Sequence, residues 1–310
     1  MPELPEVETV RRGLARSIVG RRVASARLLR RDVLRTASRS GQAALLAEST
    51  IKEVLRRGKH LAVVAEDGRA LGVHLGMTGQ LLVAPIGKPQ VARDHVHARW
   101  VFDNGSTLIF RDPRRFGGLW SYATLDALRT ARWAGLGADA LRVTARQLEL
   151  GLAGGRRAVK AALLDQGVLA GVGNIYADEA LFRAGLHPCR VAGSLTDPEV
   201  GRLAESIRCV LREAVRAGGS TIRDYAGSDG SPGRQQERHL VYGRGGQPCV
   251  HCGTLLTAFL VAQRTTVACP RCQRLPKSYS HSPSAHRTLA GVDRKRRTER
   301  EGISSEEMNS

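Results

Sequence analysis

The 310-residue chain has no run near the roughly 18 apolar residues that a membrane-spanning helix needs. Its first residues also lack the cationic-then-apolar order of a secretion signal. The two absences give the expectation of a soluble, cytoplasmic protein with no membrane partner. Acidic residues are scarce beside basic ones. Asp and Glu number 29 and Lys and Arg 48, for a formal charge of +19 and a pI of about 10.8. Seven Lys/Arg and five Asp/Glu in residues 275–310 leave +17 on residues 1–274, so the surplus is not a tail effect. Charge of this size on the body of a chain points to a polyanion, nucleic acid first. Six cysteines do not make a disulfide scaffold at this length. The glycine-bearing run at 171–176 is no dinucleotide fingerprint, because Tyr176 stands where a third glycine is required. No internal repeat is visible.

What is present begins at the first nine residues, Met1-Pro2-Glu3-Leu4-Pro5-Glu6-Val7-Glu8-Thr9. With Met1 trimmed, Pro2 carries a secondary amine. An α-amino group titrates near pH 8, below lysine, so a sizeable fraction is neutral at pH 7. Attack by that amine on a sugar aldehyde carbon gives an iminium, an electron sink. Glu3 is placed to move protons at the same centre. Pro5 suits a first helical turn, and Glu6 and Glu8 favour its positive end. Val7, Val10, Leu14 and Ile18 form one apolar helical face, and Gly20 is the expected stop.

Residues 22–123 then read mainly as short, turn-bounded strands: 23–29, 51–55, 60–65, 70–75, 80–84, 97–102 and 107–110. Asp103-Asn104-Gly105 is a hairpin signal between the last two. The spacing predicts a β-sandwich. From Thr124 the period turns helical, with helices expected at 125–133, 145–152, 158–164, 175–184 and 198–217. Residues 217–233, with five glycines and three serines, read as a mobile loop. The polar tail reads as disordered.

The strongest spacing is Cys249-x2-Cys252-x16-Cys269-x2-Cys272, which predicts one structural Zn²⁺ in a closed four-thiolate site. A β-hairpin, 255–261 and 265–268, lies between the pairs. Cys189 and Cys209 read as ordinary half-buried thiols. Asn174 is positioned to cap the helix that follows it, and free amides at that helix start are suited to a phosphate.

Four motifs in order resemble the bacterial formamidopyrimidine-DNA glycosylases, over about residues 2–274. They are PELPEVETVRRGL at Pro2, HLGMTG at His74 with DPRRFG at Asp112, GVGNIYADEALFRAGLHP at Gly171, and the cysteine pairs preceded by Gln263-Arg264. The resemblance implies an α+β chain in four parts: a catalytic β-sandwich with its terminal helix (1–123), a helix–two-turn–helix region with a mobile loop (124–239), a zinc β-hairpin module (240–274) and a disordered tail (275–310). It implies a bifunctional glycosylase and abasic-site lyase acting on double-stranded DNA with oxidised purines, as a bacterial, nucleoid-associated monomer without a redox cofactor. Pro2 would be the nucleophile and Glu3 its proton carrier. Lys59 would assist elimination, and Arg264 would touch the phosphate at the reacting centre. Met77, Arg114 and Phe116 would enter the duplex where the damaged nucleotide leaves. Lys160, Asn174 and Arg93 would contact the DNA backbone. Arg93 stands where a histidine is usual, Arg234 where an aromatic is usual, and Gly155 where a lysine is frequent.

Without the resemblance, Met77 and Phe116 would read as core and Lys59 as a solvated turn lysine. Two other readings compete. An endonuclease VIII-like glycosylase for oxidised pyrimidines usually has glycine where Leu4 stands. A non-catalytic zinc-module DNA-binding protein would not need Pro2 followed by Glu3.

Overall fold

The computed structural model describes residues 2–37, 41–87, 94–222 and 224–275. Met1, Arg93 and the tail beyond residue 275 lie outside the described residues.

Helix α1 spans Leu4–Ile18, with Pro5 in its first turn. Val19 is extended and Gly20 takes φ +76°, a left-handed conformation that costs glycine little, so the helix stops there. The face of Val7, Val10, Leu14 and Ile18 is buried in one apolar core, while Leu4 is buried in another. One helix thus nails two cores together.

The first core is a sandwich of two sheets. The strands are β1 (Val23–Leu28), β2 (Leu34–Ala37), β3 (Ile51–Arg57), β4 (His60–Ala65), β5 (Ala70–His74), β6 (Gln80–Ala84), β7 (Val96–Phe102), β8 (Thr107–Arg111) and β9 (Gly118–Tyr122). One sheet has the order β1-β7-β8-β6 and the other β2-β9-β5-β4-β3. The sandwich and seven of its strands follow the sequence reading. Strands β2 and β9 do not: they pair with each other in parallel across some 80 residues, a partnership that no local pattern announces. The topology has a consequence for the site. His74 is opposite Gly118 and Gln80 is opposite Arg111, so the β5–β6 and β8–β9 loops leave paired strand ends and lie side by side.

The second core is helical. Helix α2 (Leu125–Leu128) gives way to a single π-helical turn at Arg129–Trp133, where one continuous helix was expected. The Arg132 guanidinium there stacks on the Trp120 ring at 4.0 Å. A two-residue parallel pair, β10 (Ala138–Asp139) and β11 (Leu169–Ala170), brackets α3 (Ala145–Leu152) and α4 (Val159–Leu164). Helix α5 (Asn174–Ala184) is buried along most of its length and packs on α6 (Asp197–Arg216). The last pair, β12 (Thr257–Val261) and β13 (Arg264–Ala268), is the expected hairpin. Among the described residues, no helix is long and apolar enough to cross a membrane.

The loop after α6 forms neither helix nor strand among its described residues. It is tied to the sandwich by Val83 N donating to Ser228 O (2.7 Å) and by Gln80 Nε2 donating to Asp224 O. Tyr225 Oη donates to Gly218 O (3.1 Å), closing the loop on itself.

Candidate active site

Sandwich, helices and hairpin meet at a cleft of about 440 Å³, lined by Pro2, Glu3, Lys59, Met77, Arg114, Asn174 and Arg264 among others. Seven of the ten residues singled out for chemistry or DNA contact therefore share one cavity.

Glu3 is held from below. Its carboxylate accepts from Gly173 N (2.7 Å), Ile175 N (2.9 Å) and Tyr176 N (3.4 Å), the free amides at the start of α5. A helix N-terminus stabilises an anion by these unused donors and by its dipole. The anion at this helix start is thus a side chain of the chain itself, not the phosphate expected from sequence. Gly173, not Asn174, is the N-cap residue. A β-carbon at Gly173 would come within 2.4 Å of the Glu3 carboxyl carbon, and one at Gly171 (φ +114°) within 2.4 Å of Leu4. The two glycines let the N-terminal segment approach.

A second carboxylate lies deeper. Glu6 accepts from Glu3 N (2.8 Å), Ser220 N (2.7 Å) and Tyr176 Oη (2.6 Å). Burial, reinforced by the nearby Glu3 charge, still holds its carboxyl above the usual range. Sequence reading gave Glu6 only a helix-start role. Its partners lie about 170 and 214 residues away, beyond any local signal.

Lys59 follows Gly58 in the β3–β4 turn and is buried, not solvated. Burial lowers its pKa, with a smaller push from Arg264, against the pull of Glu3 and Glu6. The turn is clamped by Arg56, whose Nη1 donates to Gly58 O (3.1 Å) and to Asp139 Oδ2 (2.7 Å). Gly58 N donates to the same carboxylate (2.9 Å). Behind it, His60 and His74 lie with ring centroids 4.8 Å apart, and burial depresses both, to about 3 and about 4.

Arg264 opens β13 directly after a two-residue turn, Ala262 (φ +47°) and Gln263 (φ +59°). Left-handed backbone costs such residues roughly 1–2 kcal/mol each. The turn is held because the hairpin base is fixed. Four cysteines fix it from one side: Cys249, Cys252, Cys269 and Cys272 bring their sulfurs within 4.8 Å of one another. Cys249 Sγ lies 3.9 Å from Cys272 Sγ, and Cys252 Sγ 3.5 Å from Cys269 Sγ. Tetrahedral zinc with bonds of about 2.3 Å requires sulfur separations of about 3.8 Å. The donor set fits one closed Zn²⁺ site. Such a site supplies folding energy and no open coordination position. Cys189 and Cys209 stand half-buried, as expected.

Helix α5 fixes the hairpin from the other side, and here the expectation for Lys160 is corrected. Lys160 has no exposed surface. Its ammonium pairs with Asp178 Oδ1 (2.7 Å) and donates to Thr266 Oγ1 (2.8 Å) and Thr265 O (3.1 Å). A cation so enclosed has no face left for a phosphate. Burial pushes Asp178 up to about 7 and Lys160 down, each drawn back by the other. The next residue, Glu179, accepts from Leu240 N, Val241 N and Tyr242 N at 2.8–2.9 Å. Asn174 Nδ2 donates to Thr265 O (3.0 Å). Sequence reading quoted Asp178 and Glu179 within a motif and gave neither a role. Two adjacent acids inside an otherwise apolar helical stretch were the available signal.

The cleft's outer wall reverses these properties. Met77 is 41 % and Phe116 56 % exposed, although residues of their type are usually core. The Arg114 guanidinium lies 4.7 Å from the Phe116 ring centroid. Arg93 is not among the described residues. Arg234, another departure, is exposed just beyond the loop.

A cleft with buried carboxylates at its floor, exposed apolar and cationic side chains at its rim and a four-thiolate hairpin at its side defines a zinc-bearing enzyme of nucleic acid. The sequence matches three family descriptions in order: the formamidopyrimidine-DNA glycosylase N-terminal domain over residues 1–119, its H2TH domain over 136–226, and the zinc finger found in FPG and IleRS over 246–275. A formamidopyrimidine-DNA glycosylase of Xanthomonas campestris pv. campestris is 44% identical over 277 residues, 88% of this chain and all of that one. The MutM (FPG) protein of Thermus thermophilus superposes with a TM-score of 0.77 at 44% identity, covering 88% of this chain and 98% of that one. A mutant FPG of Lactococcus lactis, solved with Fapy-dG-containing DNA, superposes with a TM-score of 0.78 at 34% identity over 88% of this chain and all of that one. The chain belongs to the formamidopyrimidine-DNA glycosylase family.

Proposed function

We propose that this chain is a bifunctional DNA glycosylase and abasic-site lyase of base excision repair, releasing oxidised purines such as 8-oxoguanine and formamidopyrimidines from double-stranded DNA. The observation that carries the reading is the meeting of Pro2, Glu3, Lys59 and Arg264 in one cleft beneath an exposed apolar rim. On this reading residues 1–123 supply the chemistry, 124–239 and the 240–274 module grip the DNA, and the enzyme works as a monomer at the bacterial nucleoid in the cytoplasm.

With Met1 removed, the Pro2 amine attacks C1′ of the extruded nucleotide as the base departs. The C1′–N bond to the base breaks and the C1′–N bond to Pro2 forms. The Pro2 nitrogen then gives up its proton, the C1′–O4′ bond opens with O4′ taking the electron pair and a proton, and the resulting ring-opened iminium retains one positive charge. Glu3 relays protons at the sugar, and its oxygens are oriented by the α5 amides. The iminium acidifies the adjacent sugar carbon, so a proton leaves C2′ and the 3′ phosphate departs with the C–O electron pair. A second elimination releases the 5′ phosphate, leaving a one-nucleoside gap. Lys59, with its lowered pKa, assists proton movement in these steps, and Arg264 holds a phosphate. Asn174 contacts the backbone from the cleft wall. Arg93 adds a backbone contact.

Extruding a nucleotide costs a few kcal/mol and leaves a gap, which exposed apolar side chains are suited to fill. Met77 and Phe116 take that part. Arg114 reads the orphaned base. Its donors match the acceptors of cytosine's pairing edge and oppose adenine's exocyclic donor.

Borohydride trapping tests the reading. A covalent adduct should form with an oligonucleotide carrying 8-oxoguanine, and more slowly with one carrying an oxidised pyrimidine. A faster trap on the pyrimidine moves the chain to endonuclease VIII-like specificity, and binding without any trap leaves only the non-catalytic reading.

A further inference from the structure

We propose that Thr78 and Asp112 are positioning residues for specificity, locking Met77 and Arg114 into one rigid wedge so that gap filling and base reading occur together. The proposal rests on the roles given above to Met77 and Arg114.

Asp112 is fully buried. Each of its carboxylate oxygens has its own donor: Thr78 Oγ1 to Oδ1 at 2.5 Å, and Gly117 N to Oδ2 at 2.7 Å. The first donor belongs to the Met77 loop and the second to the Arg114 loop. Thr78 Oγ1 also accepts from Arg114 N (3.2 Å), so one hydroxyl joins the buried carboxylate to the backbone of the reader. Asp112 is itself pinned, its carbonyl accepting from His97 Nε2 at 2.8 Å and its amide donating to His95 O at 3.1 Å. Backbone packing closes the joint. A β-carbon on Gly76 would lie 2.4 Å from Gly117 N, and one on Gly117 would lie 2.6 Å from His74 O. Neither loop shifts without the other, yet both tips stand in solvent.

That combination matters for discrimination. An arginine on a loose loop would move to suit adenine and forfeit much of the penalty. A fixed one leaves its donors facing adenine's donor. Hydrogen bonds to a buried carboxylate are the stronger kind, and removing one leaves the anion short of a donor.

The test uses the full zinc-loaded enzyme under single turnover with 8-oxoguanine opposite cytosine and opposite adenine. Thr78→Val should cut the cytosine-over-adenine preference about five- to tenfold, or about 1–1.4 kcal/mol. Thr78→Ser, which keeps the hydroxyl, should retain the preference. In an Arg114→Ala background Thr78→Val should change the preference no further, because the hydroxyl acts through that arginine. A merely structural threonine would slow both pairings equally, and would do so in either background. Thr78→Ala serves as the second hydroxyl-free variant if valine prevents folding. Full preference in both hydroxyl-free variants overturns the wedge alone. A wild-type enzyme that excises from neither pairing overturns the functional reading and the wedge with it.

Discussion

Around Pro2 the carboxylates of Glu3 and Glu6 are buried and hydrogen-bonded, whereas around Met77 and Phe116 large apolar groups stand in solvent. Both regions line one cleft. The inner region commits backbone amides of α5 and of the Ser220 segment to two carboxylates. Such groups lose little freedom when the reaction begins, which is what a proton carrier needs. The outer region leaves apolar surface uncovered, which is unfavourable in the free protein and becomes favourable against unstacked bases. Chemistry is thus preorganised inside, and recognition is deferred to the rim.

The contrast is broken most severely by removing the proposed inner nucleophile. In a protein confirmed to start at residue 2, Pro2→Gly should slow strand cleavage by at least about 10²-fold and abolish most of the borohydride adduct. DNA binding, measured by gel shift, should stay close to wild type because the rim is untouched. Retained single-turnover cleavage would remove Pro2 from the mechanism.

Zinc extraction attacks the shared support instead. One equivalent per chain should be found by elemental analysis. Chelation, or Cys249→Ser, should loosen the Arg264 hairpin and weaken DNA binding, with the sandwich still folded by circular dichroism. Full activity in metal-free protein would contradict a structural role.

Lys160→Ala sharpens the comparison, because it places a third charge among the buried, satisfied ones. It leaves Asp178 enclosed without its cation and should cost about 3–5 kcal/mol in denaturant unfolding. The slope of log affinity against log salt should remain that of wild type, since no phosphate contact is lost. A slope reduced by about one would return Lys160 to the DNA interface.

Arg114→Ala should have the mildest effect, confined to the rim. Excision of 8-oxoguanine opposite cytosine should be favoured over adenine by about tenfold or more in the wild type, and the variant should lose that preference. Equal wild-type rates on both pairings would reduce Arg114 to a structural or phosphate-binding arginine.

The inner region was the more legible of the two in part only. Pro2, Glu3 and the cysteine spacing stood out because their chemistry is carried by residue type and position along the chain. So did α1, whose apolar face repeats every three to four residues. The outer region was legible only by resemblance, since nothing local marks Met77 or Phe116 as exposed. The β2–β9 pairing and the break after α2 escaped because their causes lie in distant packing.

By itself the sequence determined the polyanion partner, the zinc site and the sandwich, and it singled out Pro2 and Glu3 as the candidates for the chemistry. Composition, spacing and periodicity are properties of the chain before it folds. Only the tertiary structure decided what each charge faces. It gave the α5 amides to Glu3, enclosed Lys160 with Asp178 and joined the Met77 and Arg114 loops through Asp112. Whether a charge reaches DNA or a buried partner depends on the burial and distance of groups up to 214 residues apart, which no local pattern encodes.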